Sequence, residues 1–239
     1  MGVVLFIRGF NTDNTATSDT YSHIREVLSQ HHIVHYFQYS VNDDISSVYR
    51  RLCEVIESNA HAPGPDRFRF LIGHSMGGGL LMRFIADHYA SEPRKYRHLE
   101  RLILLMPLLY RTEALASVCR VPLIEHALVP KAWLLPASRL FPTGNVLNDD
   151  YSLLPVKQIV GMVRDLMLDA ADVTTTLNRS HVRQRVVLLY AKDEAFSVIP
   201  TDILRQIHNV HYVSGLHECF NGLGTSREFF GALLSHVST

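Results

Sequence analysis

A serine set between glycines at the end of an apolar run is the residue best placed to do chemistry in this chain. Gly73-His74-Ser75-Met76-Gly77 fits the pattern Gly-x-Ser-x-Gly, directly after the apolar Phe70-Leu71-Ile72 and directly before a predicted helix, Leu80–Tyr89. A sharp turn from strand to helix is expected to hold such a serine in a strained conformation with its hydroxyl exposed. Glycines two residues to either side let neighbouring backbone approach without a Cβ in the way. The start of the helix then offers the Met76 N–H, with a favourable dipole, to a developing oxyanion. The plain alternative is a glycine-rich turn with an incidental serine, and the strand-to-helix context argues against it.

A nucleophilic serine needs a base, and the base needs an acid to orient it. Leu188-Leu189-Tyr190-Ala191-Lys192-Asp193-Glu194 ends one apolar run, and Tyr212-Val213-Ser214-Gly215-Leu216-His217 ends the last. The chain order is therefore Ser75, then Asp193 118 residues on, then His217 a further 24. Taken singly, Asp193 reads as a solvated loop carboxylate and His217 as an ordinary loop histidine. Their joint order, each just past the carboxyl end of a strand, makes them the expected acid and base. Glu194 is the neighbouring acid should the loop register differ by one.

These residues need a scaffold, and the sequence supplies one. Short apolar runs at Val3–Ile7, Ile33–Tyr36, Phe68–Ile72, Leu102–Leu105, Val186–Tyr190 and Val210–Val213 alternate with helix-like stretches. The helical stretches lie near 17–30, 45–59, 77–90, 155–171, 199–207 and 225–237. That alternation predicts βαβ units and a mostly parallel sheet of about six strands with helices on both faces. Val3–Ile7, Leu102–Leu105 and Val186–Tyr190 are continuously apolar, the pattern of strands buried on both faces. Between Pro107 and Pro155 the rhythm breaks: six of the ten prolines fall there with a single glycine, Gly144, among large apolar residues around Trp133. Proline excludes helix interiors and central strands, so short helices and turns are expected. They could form an extra layer on the core or a lid over a pocket.

Here the sequence resembles the α/β-hydrolase family, and Gly-His-Ser-Met-Gly-Gly looks like its lipase, esterase and lysophospholipase members. The resemblance covers nearly the whole chain. It implies a hydrolase core over residues 1–107 and 155–239, with a helical cap or lid over 108–154. It also implies that Arg8-Gly9-Phe10-Asn11 is the oxyanion loop, with the Phe10 N–H as second donor beside Met76 and Arg8 in place of the usual histidine. The acid loop of the family reads Gly-x-x-Asp; here it reads Tyr190-Ala191-Lys192-Asp193. Arg8 faces two readings, a packing role at the strand end or recognition of an anionic head group. Trp133 is expected to line an acyl pocket.

Composition narrows what remains. Of 239 residues 47% are hydrophobic and 19% charged, a globular balance, and 23 basic residues cancel 23 acidic ones. That removes the electrostatic argument for nucleic acid or an anionic membrane. No apolar run approaches the ~18 residues of a membrane span, and the run Met1–Ile7, which stops at Arg8 without a basic lead-in, is too short to be expected as a signal-peptide core. Cys53, Cys119 and Cys219 are too few and too scattered for a disulfide framework or a thiolate metal site. His31, His32 and His35 lack a neighbouring carboxylate and are expected on a surface turn, not at a metal. His74 is expected to pack beside the turn. The expectation is a reduced, cytoplasmic enzyme (secretion without a cleavable signal being the alternative) that needs no cofactor and no metal. It would act on small-molecule esters, apolar or lipid-like, through an acyl-enzyme. Thioesterase, amidase or acyltransferase chemistry on the same triad, or a binding module retaining the fold, are the competing readings; the oligomeric state is open.

Overall fold

The computed structural model describes residues 1–9, 21–40, 43–109, 165–194, 199–215 and 226–238. Strand β1 (Gly2–Ile7) leads through α1 (Ser22–Ser29) to β2 (His32–Phe37). The chain continues through α2 (Ile45–Ala60), β3 (Phe68–His74), α3 (Met76–Phe84) and β4 (Arg101–Leu105). Later come α4 (Ala170–Leu177), α5 (Ser180–Arg183), β5 (Val186–Ala191), α6 (Thr201–Leu204), β6 (Val210–Val213) and α7 (Ser226–Val237). Each of the six apolar runs is a strand. They form one sheet in the order β2-β1-β3-β4-β5-β6, with every pairing parallel.

Side-chain alternation divides the core into two layers. Val3, Leu5, Ile7, Leu71, Leu102, Leu104 and Leu188 pack on one face with Val48, Leu52 and Ile56 of α2. Val4, Phe6, Phe70, Ile72, Ile103, Leu105 and Leu189 pack on the other with Ile24 and Leu28 of α1 and Phe229, Leu233 and Val237 of α7. A spacing of four residues puts these helical positions on single stripes. Helix α2 begins cleanly because the Asp44 carboxylate accepts the Ser47 N–H at 3.0 Å, satisfying one donor that the first turn leaves over.

Burial on both faces holds for the inner strands and fails at the sheet edges. Strands β1 and β5 are buried throughout, whereas β2 and β6 expose Ile33 and Tyr212 by 49% and 47%. An edge strand has a neighbour on one side only, so its apolar residues read like core in sequence yet meet solvent. The helix expected over 155–171 also differs. Among the described residues of that span, Asp165 and Leu166 are helical, Met167, Leu168 and Asp169 are not, and a second helix runs from Ala170 to Leu177. The expected cap falls almost wholly outside the described residues, as does Trp133.

The strand order places the site. From β1 the chain winds to β2 on one side, then crosses back through α2 to β3 on the other. At such a reversal the connections diverge and leave a crevice beyond the carboxyl ends of β1 and β3. Gly9 follows β1 there, and Ser75 follows β3.

The histidine cluster turns out to be strand material. His31 lies in the turn before β2, His35 is exposed on β2, and His32 is 7% exposed with its Nδ1 accepting the Gly2 N–H at 3.3 Å. Burial, then the charges of His31 and the N-terminus, push the His32 pKa below its ordinary 6.5; burial lowers His98 and His236 in the same direction. The folded chain therefore resists protons that the unfolded chain accepts, so this stability is full above about pH 6.5 and is lost as pH falls below that value through the lowered folded-state pKa values. Glu57 and Glu228 are lowered too, but carboxylates lose their contribution only below the ordinary 4.5. The urea midpoint is accordingly expected to fall between about pH 7.5 and about pH 5.5, and to fall less in His32→Gln. A midpoint that rises over this range, or an equal fall in the variant, would contradict the assignment.

Candidate active site

Ser75 sits between β3 and α3 with φ 52° and ψ −118°, a region that side chains other than glycine rarely occupy. Its side chain is 1% exposed, and its Oγ is buried with no hydrogen-bond partner among the described residues. The strained strand-to-helix turn expected from the sequence is present at the sheet's switch point, but the hydroxyl expected to be exposed is buried. The turn is held by its backbone. The Ser75 N–H donates to the Leu105 carbonyl at 2.9 Å, while the Ser75 carbonyl accepts the N–H groups of Gly79 at 3.0 Å and Leu108 at 3.1 Å.

The glycines around it are required by closeness. A Cβ at Gly73 would overlap the Gly77 carbonyl, and one at Gly77 would overlap the carbonyl oxygens of Ile7 and Arg8. At Gly78 it would lie 2.6 Å from the Pro107 Cβ, and at Gly79 2.7 Å from the Leu108 carbonyl oxygen. Three successive glycines are poor helix formers, at about 1 kcal/mol each relative to alanine. Here they let the first turn of α3 press against the ends of β1 and β3 and the segment after β4. Met76 is the first residue of α3, so its N–H has no carbonyl one turn back to bind within the helix. That N–H is the donor expected to face an oxyanion.

Gly9, the glycine of the expected oxyanion loop, lies against Ser75. A Cβ there would be 3.1 Å from the Ser75 Cβ, 3.1 Å from His74 Nδ1 and 2.8 Å from the Tyr21 hydroxyl. The Gly9 N–H donates to the Tyr21 hydroxyl at 2.9 Å, and that hydroxyl meets His74 Nδ1 at 2.8 Å. His74 is fully buried and packs beside the turn. Arg8 is half-buried: its carbonyl accepts the Tyr39 hydroxyl at 2.7 Å, and its Nε is buried without a hydrogen-bond partner among the described residues. Phe10 lies outside the described residues.

The acid and base loops start side by side. The Lys192 N–H donates to the Val213 carbonyl at 2.9 Å and the Asp193 N–H to the Gly215 carbonyl at 3.1 Å. Gly215 has φ 109°, a left-handed conformation for which glycine is suited, two residues before His217. Glu228 of α7 accepts the Ser214 N–H at 2.9 Å and pairs with Lys192 at 3.6 Å, tying the C-terminal helix to both loops. The Asp193 side chain is exposed and that of Glu194 half-buried. His217 lies outside the described residues, so the structure brings together Ser75, Met76, Gly9 and Arg8 on one side and the loop of Asp193 on the other.

Sequence reasoning missed Tyr21 and Met106. Tyr21 precedes α1 without any local motif, and its role arises from partners 12 and 53 residues away. Met106 has φ 39° at the turn that leads to Leu108, a conformation that glycine would have signalled and methionine does not. Cys53 is buried in α2, and burial pushes its thiol up to about 11, away from thiolate chemistry. Among the described residues no group of three or more His, Cys, Asp or Glu side chains could hold a metal, and no helix is long and apolar enough to cross a membrane.

No protein-family model matches the sequence, and no curated protein matches it. Solved structures do match over the whole length. A structure from the metagenome-derived lipolytic enzymes LipS and LipT aligns with TM-score 0.59 at 14% identity, covering 98% of this chain and 92% of that one. Est1E from Butyrivibrio proteoclasticus aligns with TM-score 0.55 at 14% identity, covering 100% and 89%. The thioesterase domain from the curacin biosynthetic pathway gives TM-score 0.53 at 18% identity, covering 100% and 91%. Likeness at this level of identity is a likeness of fold. The chain has the α/β-hydrolase fold.

Proposed function

We propose that the chain is a serine hydrolase cleaving carboxylic esters of apolar or lipid-like acids through an acyl-enzyme. The observation that carries the reading is Ser75 itself, held at positive φ at the switch point of the sheet with a buried hydroxyl that has no partner among the described residues. In this reading Ser75 Oγ attacks the acyl carbonyl as His217 takes its proton, and Asp193 holds the imidazole and stabilises the imidazolium. The N–H groups of Met76 and Phe10 hold the tetrahedral oxyanion, the alcohol leaves with the proton from His217, and water releases the acid. No cofactor enters this scheme. Esterase, lipolytic and thioesterase names among the fold neighbours support hydrolysis as the reaction class.

The substrate class rests on the apolar segment 108–154, proposed as a lid whose Trp133 lines an acyl pocket. Each buried methylene is worth ~0.8 kcal/mol, so kcat/KM should rise several-fold per added carbon until the pocket is full. The test is kcat/KM for p-nitrophenyl esters from acetate to palmitate in wild type and Trp133→Ala. A rise through medium chains that flattens in the variant is expected. A steady fall from acetate upward would leave a small-ester enzyme and remove the lipid-like substrate.

A further inference from the structure

We propose that Tyr21 is a positioning residue that sets the oxyanion loop against the nucleophile turn. The proposal deepens the hydrolase reading and rests on it. Tyr21 and Gly9 flank residues 10–20, and the Tyr21 hydroxyl accepts the Gly9 N–H at 2.9 Å, so the two ends of that segment are tied together. The same hydroxyl meets Nδ1 of His74, the residue immediately before Ser75, at 2.8 Å. A phenol has one proton and two lone pairs, enough to take the Gly9 proton and to pair with either tautomer of His74. All three groups are buried, so water cannot replace the bridge. The ring is fixed independently of its hydroxyl, edge-on to Phe6 at 5.4 Å and to His74 at 5.6 Å.

The consequence for catalysis lies in what the bridge fixes. With its N–H spent on Tyr21, Gly9 is not a donor to substrate. Its peptide plane is instead held in one orientation while its Cα rests against Ser75. The bridge fixes the peptide that joins Arg8 to Gly9, directly before the proposed second donor, Phe10. Preorganised donors gain their catalytic effect from fixed geometry, and loss of one oxyanion donor typically costs about 10²–10³ in kcat. Loosening a donor without deleting it should cost less.

Tyr21→Phe keeps the ring contacts and removes only the bridge. On a p-nitrophenyl ester its kcat is expected to fall about 10- to 100-fold while KM stays within about twofold. Phenylboronic acid, whose tetrahedral adduct with serine mimics the oxyanion, should lose affinity by the same factor. Exchange of the Gly9 amide with solvent should speed up. His74→Asn, which leaves an amide group near the place of Nδ1, is expected to lose less kcat than His74→Leu, so the pair carries the test if Tyr21→Phe folds poorly. A folded Tyr21→Phe with wild-type kcat and boronate affinity would overturn the proposal while leaving the hydrolase reading in place, as would His74→Asn and His74→Leu with equal losses. A wild type inert toward ester and boronate would overturn the hydrolase reading, and the oxyanion role of Tyr21 with it. Gly9 exchange would then still report whether the bridge holds the loop.

Discussion

Ser75→Ala is expected to lower kcat/KM toward activated esters by about 10⁴-fold or more and to abolish labelling by a fluorophosphonate probe. The same substitution is expected to leave stability unchanged or to raise it by about 1 kcal/mol. Both halves follow from the geometry. The serine hydroxyl is buried and unpartnered among the described residues, so it contributes desolvation cost without a hydrogen bond to offset it. Alanine keeps the Cβ and hence the backbone strain at φ 52°, about 1–3 kcal/mol, so the turn itself has no reason to move. Such a cost fits the proposed catalytic role, in which strain at the turn serves the chemistry. Intact-mass analysis after probe treatment, with a urea melt of the same samples, gives both numbers. A labelled Ser75→Ala protein would move the nucleophile elsewhere, and an unlabelled wild type would remove the acyl-enzyme mechanism.

How much of this was legible in the sequence depends on whether the cause is local. The inner strands could be read because β1, β3, β4 and β5 are buried by neighbours on both sides, so their runs Val3–Ile7 or Val186–Tyr190 contain no polar residue. Ile33 and Tyr212 misled because exposure there depends on strand order, which decides after the fact that β2 and β6 are edges. The nucleophile turn was legible because its motif encodes a close approach: glycine at 73 and 77 is demanded by carbonyls of Gly77, Ile7 and Arg8. Tyr21 was not legible. A tyrosine before a helix has no distinctive spacing, and only the folded chain brings its hydroxyl to Gly9 and His74. Asp193 falls between the two cases, since its loop lies where expected, beside the start of the histidine loop, while its side chain is exposed and that of Glu194 is half-buried.

Gly77→Ala is the second substitution expected to be severe, and it separates close packing from chain flexibility. The added methyl group would overlap the carbonyl oxygens of Ile7 and Arg8, both backbone atoms that no rotamer change can withdraw. Relief requires the first turn of α3 to lift away from the end of β1. Overpacking of this kind costs about 1–3 kcal/mol, occasionally more, and the fixed backbone on both sides places Gly77 at the upper end. The same movement would carry the Met76 N–H and the Ser75 backbone away from Gly9. A misplacement of about 1 Å in a catalytic geometry can cost about 10²-fold in rate, so activity should fall by at least that much even in molecules that remain folded. Gly231→Ala is the matched control. Gly231 is exposed in α7, a Cβ there meets nothing within 4 Å, and its backbone is ordinary helix. Alanine at that position should stabilise the protein by about 0.5–1 kcal/mol through helix propensity, with activity unchanged. The two glycines are thus expected to respond with opposite signs in urea midpoint, and only Gly77 should alter kcat/KM. If Gly77→Ala behaved like Gly231→Ala, the close approach of α3 to β1 would not be what holds the nucleophile turn in place.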